Sequence, residues 1–214
     1  MEQGFWQEKW DEGRIGFNQT AANPYLTAHW GSLGLAPGSR ILVPLCGKTI
    51  DMLWLRAQGH AVVGVEFVKE ACEAFFIEND IPFEATAMGY RATDDGPELT
   101  LVYGDFMALQ PEQMGLFDGF YDRASVVALS KDLQEAMAAQ MDRLIPSGGR
   151  GLMVTFEFPS PSGPPFSTPE ARIEDLFGGH FDLKLLASHD APEEDLEKFG
   201  VEWARELAMA LTKN

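Results

Sequence analysis

Cysteine is nearly absent from this 214-residue chain: Cys46 and Cys72 are all it has, too few for a disulfide framework, and both read as small buried side chains. Histidine is scarce as well. His29, His60, His180 and His189 include no pair at helical ligand spacing, so a metal site has no support. Positive charge is outnumbered, with 16 Lys and Arg against 33 Asp and Glu, for a formal charge of −17. Such a surface repels phosphate backbones and anionic lipid, which disfavours nucleic acid and membranes and favours a neutral or cationic small molecule. Long apolar runs are missing too. The longest, around Ala61 to Val65, contains Gly64 and is followed by Glu66, so no membrane span is expected. The opening "MEQGFWQEKWDEGR" is polar, acidic and rich in Trp, unlike a secretory or transit leader, and a cytoplasmic protein is expected.

Glycine is lacking where two familiar nucleotide loops need it. In "ILVPLCGKTIDM" (41 to 52) a buried-looking strand runs into a turn and then a helix, and Gly47-Lys48-Thr49 invites a phosphate-loop reading. That loop requires glycine at position 42, which is Leu42, and Pro44 removes a further backbone donor. A dinucleotide fingerprint needs three glycines, and "PLCGKT" supplies one. Yet "HAVVGVE" is a strand ending in Glu66, 19 residues after Gly47, where an acid can accept both ribose hydroxyls of a nucleoside. The ligand implied is a nucleoside without pyrophosphate, and S-adenosylmethionine fits. A structural turn and a surface acid would explain this pair equally well.

What is present has the rhythm of an α/β fold. Strand-like runs fall at 40–43, 61–65, 99–103, 117–121, 151–158, 181–187 and 203–211, with helical patterns at 49–58, 69–79 and 131–144. In the last of these, Leu133, Met137, Met141 and Leu144 share a face, and Pro146 with Gly148-Gly149 stops the helix. The alternation predicts a Rossmann-like, seven-stranded, mostly parallel doubly wound sheet with helices on both faces. Only "HDAPEEDLEKFG" separates the last two strands, so they should form an antiparallel hairpin at the C-terminal edge. The Pro/Gly/Ser-rich segment 159–169 reads as a long ordered loop, since too few residues follow it for a second core. Residues 1–214 are thus expected to form a single domain, with 1–35 as a helical N-terminal extension.

Further polar residues gather at strand ends. "VYGDF" places Gly104 and Asp105 after the third strand, where they could border an adenine, and "FYDRAS" places Asp122 and Arg123 after the fourth. Trp6 and Trp10, four apart, share a helix face. They either pack that helix on the core or form a lid whose aromatic faces attract a sulfonium as they would an ammonium. Gly13, Gly16, Phe17 and Asn18 would be the mobile part of such a lid.

"FWQEKWDEGRIGF", "NPYL", "VPLCGKTIDMLWLRAQGHAVVGVE", "DRASVVAL" and "SGPPFSTP" occur in this order, and together they resemble the thiopurine S-methyltransferase family, from about Phe5 to Thr212. The resemblance implies the class I methyltransferase fold and S-adenosylmethionine as methyl donor, leaving S-adenosylhomocysteine. It also implies transfer to the sulfur of aromatic and heterocyclic thiols such as mercaptopurines, by a protein that is often monomeric. By matching motif it implies cofactor contacts at Trp6, Trp10, Leu45, Glu66, Gly104, Asp105 and Arg123. Phe17 would face both cofactor and substrate, and Pro165 and Phe166 would roof the substrate pocket. Lys184 would stand where animal members carry an Arg near the pocket.

The chain departs from the family where Asn18 replaces a His common in bacterial relatives, and where "LAMALTKN" lacks an aromatic. Those departures concern the acceptor rather than the donor. Arg123 is expected to hold a polar edge of the acceptor, with no obligatory general base. Within the family, methylation of tellurium or selenium species or of simple thiols is an alternative. Outside it stand a pyridine-nucleotide oxidoreductase, which the missing glycines oppose, and a non-catalytic ligand-binding protein.

Overall fold

The computed structural model describes residues 3–159 and 163–214. Met1 and Glu2, and residues 160–162 within the 159–169 segment, lie outside the described residues. In chain order the elements are α1 (Gln3–Asp11), α2 (Pro24–His29), β1 (Arg40–Val43), α3 (Asp51–Ala57), β2 (Ala61–Glu66), α4 (Lys69–Glu78), β3 (Phe83–Thr86), β4 (Gly89–Ala92) and β5 (Leu99–Tyr103). They continue with α5 (Pro111–Met114), β6 (Gly119–Arg123), α6 (Lys131–Leu144), β7 (Arg150–Glu157), α7 (Glu170–Phe177), β8 (Phe181–Asp190), α8 (Glu193–Phe199) and β9 (Arg205–Lys213).

The described strands form one sheet in the order β3-β4-β5-β2-β1-β6-β7-β9-β8. β5, β2, β1, β6 and β7 run parallel, and β9 lies antiparallel between β7 and β8. The sheet therefore has nine strands rather than the seven predicted. The additional pair, β3 and β4, is antiparallel and sits at the margin beside β5. β3 is mostly exposed and four residues long, so it carries no apolar alternation to read. Gly89 permits the β4–β5 contact: a Cβ there would lie 2.1 Å from the Leu101 carbonyl oxygen. β6 begins two residues later than expected, which makes Arg123 its last residue. The linker between β8 and β9 holds the seven-residue helix α8.

Apolar side chains cover both faces of the central strands, as a buried parallel sheet requires. On β1, Leu42 joins one hydrophobic cluster while Ile41 and Val43 join the other; on β2, Val63 and Val65 oppose Val62 in the same way. Each such fully buried side chain contributes roughly 1.5–3 kcal/mol.

Polar contacts then fix the loops at the carboxyl ends of the strands. Asn23 caps α2, its Oδ1 accepting from the backbone N–H of Tyr25 at 2.9 Å, with Pro24 in the first helical turn. The Asn23 N–H donates to Asp51 Oδ1 at 2.7 Å, and the Tyr121 hydroxyl donates to Asp51 Oδ2 at 3.0 Å. One carboxylate thus fastens the N-terminal extension to β6. On the buried side of α6, the Gln140 amide donates to the carbonyls of Phe106 and Leu109, and that of Gln134 to Val126 and Leu129. The loops after β5 and β6 hang from these two amides.

Candidate active site

A cavity of about 590 Å³ opens at the carboxyl edge of the sheet, where doubly wound folds bind ligands. Its floor begins at β1. Pro44 ends that strand, and the chain turns through Leu45 (φ +42°) and Gly47 (φ +53°). Glu66, at the end of β2 and 4% exposed, secures this turn: Oε2 accepts the Gly47 N–H and Oε1 the Val68 N–H, both at 2.8 Å. Burial raises the pKa of Glu66, partly offset by these bonds. Each oxygen retains a lone pair for a ligand hydroxyl. The Gly47–Glu66 link is the signal seen in the sequence, joined in space.

α1 lies over this floor. Phe17 sits edge-on between Trp6 (5.6 Å between centroids) and Trp10 (5.8 Å). All three rings are partly exposed, belong to neither large core cluster and line the cavity. A Cβ on Gly47 would lie 3.2 Å from Trp10 Cζ2, so the turn lets the α1 indole approach closely. Gly47→Ala is expected to destabilise the fold by about 1–2 kcal/mol, through left-handed strain and displacement of Trp10. Urea denaturation measures the loss, and Trp fluorescence reports whether Trp10 has moved.

Arg123 holds the lid from below, its Nη1 donating to the Phe17 carbonyl at 3.0 Å. Next to it Ala124 takes φ +66°. Two of the chain's non-glycine residues with positive φ, Leu45 and Ala124, therefore line the cavity, which is where stored backbone strain is often found. Ser125 Oγ donates to the Pro44 carbonyl at 2.7 Å, tying the β6 loop to the β1 turn.

Asp122 is wholly buried beneath. Its Oδ1 accepts from Ser125 N–H, its Oδ2 has no partner among the described residues, and burial pushes its pKa up to about 7. The native state thus holds a proton that the unfolded chain releases near the ordinary value of 3.8. Stability from Asp122 is full below pH 4 and is lost as pH rises to 7, by on the order of 4 kcal/mol. Asp122→Asn is expected to abolish this slope, so the variant gains on the parent between pH 5 and pH 8. Urea midpoints at the two pH values check it.

The remaining expected residues divide. Pro165 lines the cavity from the loop after β7, next to Pro164; Phe166 is half-buried and outside the lining, its N–H bonded to the Val127 carbonyl. Gly104 donates its N–H to the Glu66 carbonyl at 2.9 Å, yet neither it nor Asp105 lines the cavity. Asp105 is exposed and accepts the Met107 N–H at 2.9 Å, capping the 3₁₀ turn Phe106–Ala108. Lys184 is a correction. It pairs with Ala210, which pairs with Leu152 near the amino end of β7, so it stands on the far half of the sheet, exposed and outside the cavity.

Residues not anticipated form the opposite wall. Lys198 of α8 donates to the Gly16 carbonyl at 3.4 Å, and Asp195, Glu206 and Phe199 line the cavity with it. Tyr25 stands behind, its hydroxyl 3.1 Å from His189 Nδ1. Because β9 runs antiparallel, its amino end meets the ligand edge; applying the edge rule to strand beginnings there would have found Glu206. Burial raises both thiols, that of Cys72 to about 12, which disfavours the thiolate form at either cysteine.

Comparison with known proteins agrees with this geometry. A family model described as thiopurine S-methyltransferase matches residues 1–214. The chain is 44% identical over 181 residues to a thiopurine S-methyltransferase of Pseudomonas entomophila, covering 84% of each, and 37% identical over 217 residues to that of a Shewanella species, covering all of both. Among solved structures it is similar to the 1,6-didemethyltoxoflavin-N1-methyltransferase of Burkholderia thailandensis, bound to 1,6-didemethyltoxoflavin and S-adenosylhomocysteine (TM-score 0.67, 19% identity, 99% of this chain and 86% of that one). It is also similar to a TehB-like S-adenosylmethionine-dependent methyltransferase of Corynebacterium glutamicum (TM-score 0.58, 16% identity, 99% and 100%). At these identities the structures establish the class I methyltransferase fold.

Proposed function

Since the chain belongs to the thiopurine S-methyltransferase family, and is therefore an S-adenosylmethionine-dependent methyltransferase, we propose that its acceptor is an aromatic or heterocyclic thiol, thiopurines included, methylated on sulfur. The observation that carries this reading is the edge-to-face cluster of Trp6, Phe17 and Trp10, which lines one cavity together with the Gly47–Glu66 link and Pro165. Flat apolar walls suit a planar ring, and aromatic faces suit a sulfonium.

The site fits S-adenosylmethionine. Glu66 would hold the ribose hydroxyls with acceptor capacity left on its buried carboxylate, the Leu45–Gly47 turn would leave room at the strand end, and Trp6 and Trp10 would cover the sulfonium. When bound, the cofactor supplies an electrophilic methyl group on positively charged sulfur. Arg123 and Lys198 hold the lid backbone at residues 17 and 16, which excludes water and keeps the aromatics in place. Gly104 acts through its bond to the Glu66 carbonyl, Asp105 by capping the turn that follows it, and Phe166 supports the substrate loop from behind.

We read the protein as a monomer acting on small molecules, not on nucleic acid or membranes; the charge of −17 supports this, and among the described residues no helix is long and apolar enough to cross a membrane. We place it in the cytoplasm. The test is single-turnover transfer from labelled S-adenosylmethionine to 6-mercaptopurine, a simple aryl thiol and a selenium acceptor. Label on the thiol sulfurs is the expected result. Transfer to selenium alone would favour the chalcogen alternative, and transfer to none would overturn the proposed acceptor class.

A further inference from the structure

We infer that Glu206 removes the proton from the acceptor thiol, and that Tyr25 and His189 conduct that proton from the cavity to solvent. This rests on the thiol acceptor proposed above and adds the group that turns it into a nucleophile.

Glu206 is the second residue of β9, paired with Phe156 of β7 and His189 of β8, and it lines the same cavity as Phe17 and Arg123. The buried Tyr25 hydroxyl interacts with its carboxylate and lies 3.1 Å from Nδ1 of His189, whose side chain is exposed. His189 stands directly across from Glu206 in the sheet and its ring packs on that of Tyr25, so carboxylate, hydroxyl and imidazole adjoin between cavity wall and surface. The other carboxylates at the cavity are less suited: Glu66 is committed to two backbone N–H groups, Asp195 pairs with Lys198 at 3.8 Å, and Glu194 is exposed to solvent.

Burial, then repulsion from Asp195 of α8, raises the pKa of Glu206; Tyr25 of α2, Arg123 of β6 and His189 of β8 moderate the rise. It is therefore a stronger base than a solvated carboxylate. Burial, and then Glu206, push the Tyr25 phenol up to about 12, so it relays a proton without holding charge. In the proposed step the S–H bond breaks, the proton passes to a Glu206 oxygen, and sulfur keeps the electron pair. That pair forms the new carbon–sulfur bond to the donated methyl, and the donor's carbon–sulfur pair leaves with its thioether. Glu206 then gives its proton to the Tyr25 oxygen while the Tyr25 proton moves to Nδ1 of His189, and the imidazolium releases one proton to water.

The test compares two acceptors, 4-nitrothiophenol, which is ionised at neutral pH, and benzyl mercaptan, which is not. Glu206→Gln is expected to lower kcat/KM for benzyl mercaptan about a hundredfold and for 4-nitrothiophenol only a few-fold. The parent's acidic limb in the benzyl mercaptan pH profile should vanish in Glu206→Gln, and Glu206→Asp should restore part of the rate. Tyr25→Phe should show a smaller loss with the same acceptor dependence, and S-adenosylhomocysteine affinity, measured by calorimetry, should stay within a few-fold throughout. Equal losses on both thiols, or none on either, would overturn the inference. If the parent protein binds S-adenosylhomocysteine yet methylates neither thiol, the acceptor class itself is wrong and the inference falls with it.

Discussion

Replacing Glu66 by Ala should weaken S-adenosylhomocysteine binding at least about a hundredfold and lower stability by about 3 kcal/mol. Two independent losses meet at this carboxylate. The ligand loses charge-assisted hydrogen bonds to its ribose, each worth roughly 1.5–3 kcal/mol. The fold loses the acceptor for the N–H groups of Gly47 and Val68, and each buried donor left without a partner costs about 1–3 kcal/mol. Glu66→Gln separates the two: its one carbonyl oxygen still serves one N–H, while its amide confronts the other with a second donor. Stability should then fall less than in Glu66→Ala, with affinity still far below that of the parent. Calorimetric titration and urea denaturation on both variants read these quantities. An affinity unchanged in Glu66→Ala would place the nucleoside elsewhere. Because burial raises the Glu66 pKa, affinity should also decline as acidification protonates the carboxylate.

The second large effect is expected on turnover. Arg123→Ala removes the bond to the Phe17 carbonyl and a positive charge that favours the ionised Glu206, so the N-terminal segment loses an anchor and the acceptor end loses a compensating charge. Turnover should fall about a hundredfold, the scale of misplacing a reacting group by an ångström. Affinity for S-adenosylhomocysteine should change far less, because Glu66 and the Leu45–Gly47 turn remain. Arg123→Lys should recover only part of the rate, since one ammonium cannot reproduce the planar donor geometry of a guanidinium. Stopped-flow transfer to an aryl thiol and calorimetry distinguish the outcomes. If affinity falls as far as turnover, Arg123 belongs to the donor site, and its assignment to the lid and acceptor is wrong.

What the sequence makes legible here is local. The strand, the single glycine and the helix of 41–52 lie within a dozen residues, and Glu66 follows at the end of the next strand, so chain order alone brings Glu66 against Gly47. The N-terminal aromatics were open to two readings, and the structure places them partly exposed around Phe17 at the cavity, outside both large core clusters. Residues that depend on sheet order were not legible. Glu206 and Lys198 reach the cavity because β9 lies between β7 and β8; the short connection announces the antiparallel pair but not which of its strands sits beside β7. Lys184 failed for the same reason: only the register with β9 reveals how far along β8 it stands from the ligand edge. Gln134 and Gln140 sit on the face of α6 that apolar spacing assigned to the core, and their amides support the loops from inside.

β8 has a bearing on how the molecule survives in a crowded solution. It is the outermost strand, ten residues long, with Leu185 exposed, and among the described residues one side of its backbone has no neighbouring strand. A long bare margin of that kind can template the addition of another chain and so begin aggregation. Three features oppose it: a register irregularity between Leu185 and Ala187, the exposed charges of Asp182 and Asp190, and Lys184 in between. Lys184, which stands outside the cavity, is placed where an incoming strand would have to strip water from its ammonium group.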